Sequence, residues 1–353
     1  MSRATFARLT SWWHTRSPLV RASLLGTGTG VAYGLLARFI ADNEWFGGVF
    51  AVMSLAFFLI VPFVLGVITV RWVDAPSRLF RFFAPWIPMT LVVIAALFLG
   101  WEGTICAVMA LPLLLLISSA GGMMTYAGQV RSTRTLPILL ALPYLVAPIE
   151  RQVPEPARFG ETVTSIDIAA PPSTVWPLIA SVDSIRPEEQ RLALYLALGF
   201  PKPISATLSR PGVGGIRSAR FEHGLTFMET VTEWVPDRRL AFTIDANTDS
   251  MPAAALDAHV TVGGPHFDVM TGTYELHPIA GGRGTRLVLR STHRLSTRVN
   301  PYATWWVERV MASIQRHISE VHKARAERLQ RQAENGRNPE RVGTPVEILA
   351  SQR

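Results

Sequence analysis

Cysteine and lysine are nearly missing from this chain of 353 residues. Cys106 is the only cysteine and lies inside an apolar run, so disulfides within the chain and cysteine-based zinc sites are excluded. Lys202 and Lys323 are the only lysines, and the formal charge of +8 therefore rests on arginine. No basic run interleaves with aromatics as in a nucleic-acid reader, so no nucleic-acid partner is expected. The arginines instead flank apolar segments or gather toward the C-terminus, and an anionic membrane surface is the simpler partner. Asp, Glu and His are absent from the middle of every long apolar run before residue 150. That excludes a proton relay or an ion-coupled transport site. The N-terminus also lacks a short apolar stretch ending in an Ala-x-Ala-like cleavage site, and the first span is expected to be retained.

What is abundant is hydrophobicity, and it is unevenly placed. Mean hydropathy is positive, and the apolar residues concentrate before about residue 150. Two units are expected: a transmembrane helical region at 1–150 and, after a Pro154/Pro156 linker at 151–160, a water-soluble domain. A hydrocarbon core of ~30 Å needs ~20 helical residues to cross it. Trp45–Val70, Phe83–Gly100 and Gly103–Ala120 are uncharged and meet that length or nearly so. Pro18–Ile40 holds Arg21 and Arg38 near its ends, where long side chains reach the interface. Thr135–Ile149 is short and carries Pro137, Pro143 and Pro148, so it either crosses or lies re-entrant or along the surface. Four or five helices are thus expected. Gly26, Gly30 and Gly34 fall on one helical face, the pattern of close helix packing in lipid and not of a phosphate loop. Arginine lies before the first span and in alternate loops, which places the N-terminus in the cytoplasm of a multi-pass protein of the inner (cytoplasmic) membrane. With five spans the soluble domain lies outside the cytoplasm; with four it stays inside.

The second half alternates differently. Val163, Ile166 and Ile168 suggest a strand, Pro171-Pro172-Ser173 stops it, and Val175, Leu178 and Ile179 mark a helix face. A second helix is expected over Pro187–Gly199. Six β-rich runs follow: Ile204–Ser209, Gly215–His223, Leu225–Trp234, Arg239–Ala246, Phe267–His277 and Thr285–Leu295. Asn300-Pro301 opens a last helix with Trp306, Val310, Ile314, Ile318 and Val321 at helical spacing. From about 326 to 353 the chain reads as a polar basic tail without structure.

This order resembles the START-like, or SRPBCC, superfamily, which includes Bet v 1-like and polyketide cyclase/dehydrase-like proteins. Ile168-Ala-Ala-Pro-Pro-Ser-Thr-Val-Trp176, Val231-Thr-Glu-Trp-Val-Pro-Asp-Arg-Arg-Leu-Ala-Phe242, and Gly272-Thr-Tyr-Glu-Leu276 leading to Gly284-Thr-Arg-Leu287 carry the resemblance, over about 161–325. It implies an α+β helix-grip domain, a curved antiparallel sheet around a long helix with an apolar cavity between them. Members bind lipids, sterols, polyketides or other hydrophobic molecules, and only some are enzymes. The implied function is a membrane-anchored domain holding a hydrophobic small molecule or lipid. A cyclase/dehydrase-like enzyme and an assembly module with a vestigial cavity are the alternatives.

Alternation along the strands selects candidate ligand-binding residues. In the last strand Leu287, Leu289, Ser291, His293 and Leu295 share the face toward the helix. In the strand before it Met270, Tyr274 and Leu276 share a face, and continuing the alternation adds Asp268 and His266. Phe221 and His223 form a similar inward pair. A His/Asp pair among these can move protons near neutral pH, but no compact metal-ligand motif is present, and neither a metal nor a cofactor is expected. Glu229 and Glu233 are expected on one strand face in a solvated ion-pair ladder.

Overall fold

A computed structural model describes residues 15–42, 54–125, 135–190, 192–247 and 262–337. The chain divides into two compact units: 1–157 with 252–261 and 296–303, and 158–251 with 262–295 and 304–353.

The first unit is helical. Its elements are α1 (Pro18–Asp42), α2 (Val61–Val70, entered through a π-helical turn, Ala56–Ile60), α3 (Arg78–Phe83), α4 (Trp86–Phe98), α5 (Thr104–Met124) and α6 (Leu136–Glu150). Among the described residues, three stretches are long and apolar enough to cross a membrane: Pro18–Ala41, Arg78–Phe98 and Thr104–Met124. Ala56–Val70 and Leu136–Glu150 are shorter, about 22 Å at 1.5 Å per residue. Against the four or five helices expected, three among the described residues are long enough to span. Residues 45–53 of the expected second span lie outside the described residues. Pro143 and Pro148 sit inside α6 without ending it.

Small residues set the helix spacing. A methyl group on Gly26 would come within 2.1 Å of the Thr69 carbonyl oxygen, and on Gly34 within 2.7 Å of Val92. Gly66 and Gly121 let α2 and α5 meet backbone to backbone, each Cβ position lying 1.9 Å from a carbonyl oxygen of the other helix. The glycine face of α1 is therefore a packing face. Arg38 does not reach outward as expected. It is buried, bonds Glu102 at 2.7 Å and lies over the Trp101 ring. At the entry to α2 the Glu150 carboxylate accepts from the backbone N–H of Leu55 (2.6 Å) and Ala56 (3.1 Å). Arg298 stands 3.4 Å from that carboxylate and donates to the Glu150 carbonyl, the C-terminal end of α6.

The second unit is one seven-stranded antiparallel sheet with a long helix. Its strands are β1 (Ala157–Ile168), β2 (Pro203–Leu208), β3 (Ile216–Phe221), β4 (Thr226–Val235), β5 (Arg239–Asn247), β6 (Phe267–Ile279) and β7 (Gly284–Ser296). They lie in the order β1-β7-β6-β5-β4-β3-β2. Between β1 and β2 come α7 (Pro172–Ala180) and the single turn α8 (Leu194–Ala197). The helix expected over 187–199 is replaced by a 3₁₀ turn, Pro187–Glu189, and α8. Arg325 holds the Glu189 carboxylate through two hydrogen bonds of 2.8 and 2.6 Å, tying this stretch down before a helix can continue.

The core joins Ile168, Val175, Trp176 and Ile179 to Val231, Leu240, Phe242, Tyr274, Leu276, Leu287, Leu289 and Ala326. Ala326 belongs to α9 (Asn300–Arg337), which runs past residue 325 where an unstructured tail was expected. Residues 338–353 lie outside the described residues. A sheet closed over a long C-terminal helix is the helix-grip arrangement.

Candidate functional site

The face of α9 turned to the sheet is the surprise of this domain. An apolar stripe through Trp306, Val310, Ile314, Ile318 and Val321 was expected; Val310 and Val321 are buried, while Ile314 and Ile318 are only half buried. The side chains that meet the sheet are Met311, Gln315, His322 and Ala326. Gln315 donates through Nε2 to the Thr162 carbonyl (3.1 Å) and to Ser291 Oγ (3.0 Å), and accepts from Thr164 Oγ1 (3.0 Å). One side chain thus joins the helix to β1 and β7. It uses both ends of its amide, as burial requires.

Seven residues further along α9 sits His322, 1% exposed. Its ring meets Tyr274 of β6 edge to face, with centroids 5.9 Å apart. Arg217 of β3 reaches the same tyrosine, with its guanidinium carbon 5.9 Å from that ring centroid and 5.6 Å from the ring of Phe242. Arg217 pairs with Glu229, its direct cross-strand partner on β4. Arg217, Glu229, Tyr274 and His322 are all buried.

Local geometry explains the assembly. Arg217 shares strand parity with Ala219 and Phe221, which are buried on the inner face. A register shift between Val231 and Glu233 separates Glu229, inside, from Glu233, which is exposed and bonds Arg239 at 2.8 Å. The two glutamates therefore do not share a face, and the expected ladder is replaced by an interior ion pair and a surface one. Gly272 lets the Phe242 ring settle beside Arg217; a Cβ there would lie 2.4 Å from the ring.

Burial governs the protonation of this group. It pushes the Glu229 carboxyl up, against the pull of Arg217. It raises the Tyr274 phenol, which stays a neutral hydroxyl. It drives His322 down to about 3, with help from the charges of Arg217 and Arg325. The ensemble is an Arg217–Glu229 ion pair, a phenol and, at neutral pH, a neutral imidazole. Neither ring nitrogen of His322, nor Arg217 Nε, has a hydrogen-bond partner among the described residues. Leaving a buried polar group unsatisfied costs about 1–3 kcal/mol.

The residues selected from the sequence are distributed more widely. Tyr274 is in this ensemble. Phe221 is buried against Phe200 and Phe227, with ring centroids 6.0 and 5.3 Å away. His223 does not extend β3 inward; it is exposed in the β3–β4 turn at φ 61°. His293 is buried on the inner face of β7, with burial lowering its pKa and Nδ1 unpartnered. Met270 is 38% exposed because a register shift between Val269 and Thr271 makes it the extra residue of a bulge. The bulge reverses the alternation before it. Asp268 consequently pairs in register with Arg294 on the outer face, and Val269 takes the place opposite His293. His266 is half buried in the turn before β6, a turn clasped by Arg294 through the carbonyls of Gly264 and Pro265. Asp268 and His293 lie on opposite faces, so the acid–base pair expected from them is not assembled. Among the described residues no cluster of His, Cys, Asp and Glu has a metal-binding arrangement.

Sequence comparison bears on this half of the chain. Residues 160–334 match the family described as polyketide cyclase / dehydrase and lipid transport. That description spans ligand-binding and cyclase domains alike. Among solved structures the same half is similar to the Zhui aromatase/cyclase from Streptomyces sp. R1128, at 17% identity over 50% of this chain and 96% of that one, TM-score 0.30. It is also similar to a START superfamily protein from Mycobacterium smegmatis, at 11% identity over 48% and 98%, TM-score 0.30. A Thermus thermophilus protein shows 17% identity over 48% and 99%, TM-score 0.31. No curated protein matches the chain. The matched segment begins three residues into β1 and ends within α9, and it contains the whole buried ensemble.

Proposed function

We propose that residues 160–334 bind a hydrophobic small molecule or lipid at a membrane surface, with the preceding apolar helices as the anchor. The observation that carries this reading is His322. An imidazole held neutral in an apolar interior, with both nitrogens unpartnered, beside a buried Arg–Glu pair, is costly for folding alone. A core built only for stability gains by placing an aliphatic side chain there. The family match supports the same reading, since its description includes lipid transport. Three helices of spanning length support the anchor.

Cyclase chemistry is the second reading, and the protonation of the site weighs against it. With its pKa near 3, His322 is a poor proton store around neutrality, while its nitrogens still serve in hydrogen bonding. Purification of the full chain in mild detergent, followed by solvent extraction and mass spectrometry, tests the proposal. A stoichiometric apolar molecule is expected. A chain that comes through empty and takes up neither lipid nor a fluorescent apolar probe would end it.

A further inference from the structure

The charge balance of the interior narrows the class of ligand. We infer, on the reading that this domain binds a hydrophobic molecule, that the ligand is uncharged and carries a hydroxyl or carbonyl group, and that fatty acids and other anionic lipids are rejected. Arg217 is the cation that would otherwise draw a carboxylate or phosphate inward. It is already neutralised by Glu229, buried with it on adjacent strands. An anionic headgroup brought to this place meets a site of zero net charge and an existing carboxylate, and its own desolvation is left uncompensated. The neighbouring arginine, Arg325, is engaged by Glu189. No unbalanced positive charge is left in the ensemble to receive an anion.

The free hydrogen-bonding groups point the same way. A neutral imidazole presents one N–H donor and one acceptor nitrogen, and both nitrogens of His322 are unpartnered, as is the donor Nε of Arg217. A hydroxyl, which donates and accepts, can meet whichever nitrogen faces it, as donor or as acceptor. A carbonyl answers the donors. A carboxylate accepts as a carbonyl does, but it brings a charge that this balanced interior does not compensate.

Photoaffinity labelling of the full chain in phosphatidylcholine nanodiscs tests this. The probes are a diazirine-bearing hexadecanol, the matching hexadecanoate and the matching alkane, with adducts located by mass spectrometry and normalised to those in the apolar helices. The alcohol is expected to label peptides around residues 217, 274 and 322 roughly tenfold more than the acid, a difference of ~1.4 kcal/mol. Glu229→Gln, which keeps the shape but frees the charge of Arg217, is expected to reverse that order. His322→Phe is expected to lower alcohol labelling to the level of the alkane, and it keeps the test open should Glu229→Gln fail to fold. Equal or stronger labelling by the acid in the native chain overturns the inference while leaving binding intact. Undiminished alcohol labelling in His322→Phe overturns the role given to the imidazole. Labelling of these peptides by none of the probes overturns the binding reading itself.

Discussion

A guanidinium withdrawn from water holds its place only while its partner does. Arg217 and Glu229 lie directly opposite across β3 and β4, both buried, so removal of one strands the other. Glu229→Ala is expected to cost about 3–5 kcal/mol, read as a lowered thermal midpoint of the detergent-solubilised chain. Replacing both partners by apolar residues of similar volume is expected to recover most of that loss. His322 makes the opposite case: His322→Phe is expected to leave stability unchanged or raise it, because an unsatisfied polar ring is exchanged for an apolar one. The same histidine gives the fold an acid sensitivity. Its folded pKa, about 3, lies below its ordinary 6.5, so below pH 6.5 the unfolded chain takes up a proton that the folded chain refuses. The contribution of His322 is therefore constant above pH 6.5 and falls toward pH 3 by up to about 1.4 kcal/mol per unit; His293, shifted in the same direction, adds to the slope, and Glu229, shifted up, opposes it. An acid titration of the melting midpoint should show that slope, reduced in His322→Phe; an unchanged slope would count against the assignment. Both missed residues carried a signal. Arg217 has the parity of Ala219 and Phe221, and His322 follows Ile318 by one helical step, but charge and polarity argue for the surface unless a buried partner is known in advance.

At the level of elements, the sequence is legible where alternation or period is unbroken. The seven strands and the long helix were expected nearly where they lie, and β7 presents Leu287, Leu289, Ser291, His293 and Leu295 inward as its alternation predicts. Legibility fails at single inserted residues. The bulge at Met270 sends Asp268 outward, and the shift after Val231 parts Glu229 from Glu233, because one extra residue moves every side chain beyond it to the other face. Bulges have no reliable mark in one sequence. The helix was read only in part, since Val310 and Val321 are buried as expected but its sheet-facing side chains include the polar Gln315 and His322 beside Met311 and Ala326. Close packing across the sheet yields a further expectation. Gly272→Ala drives a methyl into the Phe242 ring and is expected to destabilise the domain by ~1–3 kcal/mol, visible as a shifted denaturant midpoint with no loss of strand signal in circular dichroism.

For the molecule as a whole, we propose that the apolar helices decide which ligands the domain can meet. The arginine placement leads us to expect a cytoplasmic N-terminus, with five crossings putting the C-terminus outside and four keeping it inside. A topology reporter fused after residue 353 is expected to be active outside; cytoplasmic activity would mean an even number of crossings. Hydropathy alone leaves that number open because α2 and α6 are short, and the cap on α2 shows why length is a poor guide to their place. The amides that open α2 are taken by Glu150, 95 residues from Leu55, so this helix end needs no water. It also means that α2 is synthesised long before the carboxylate that completes it. As the chain leaves the ribosome, the turn that opens α2 precedes the carboxylate that caps it by 95 residues, so this cap can close only late in synthesis.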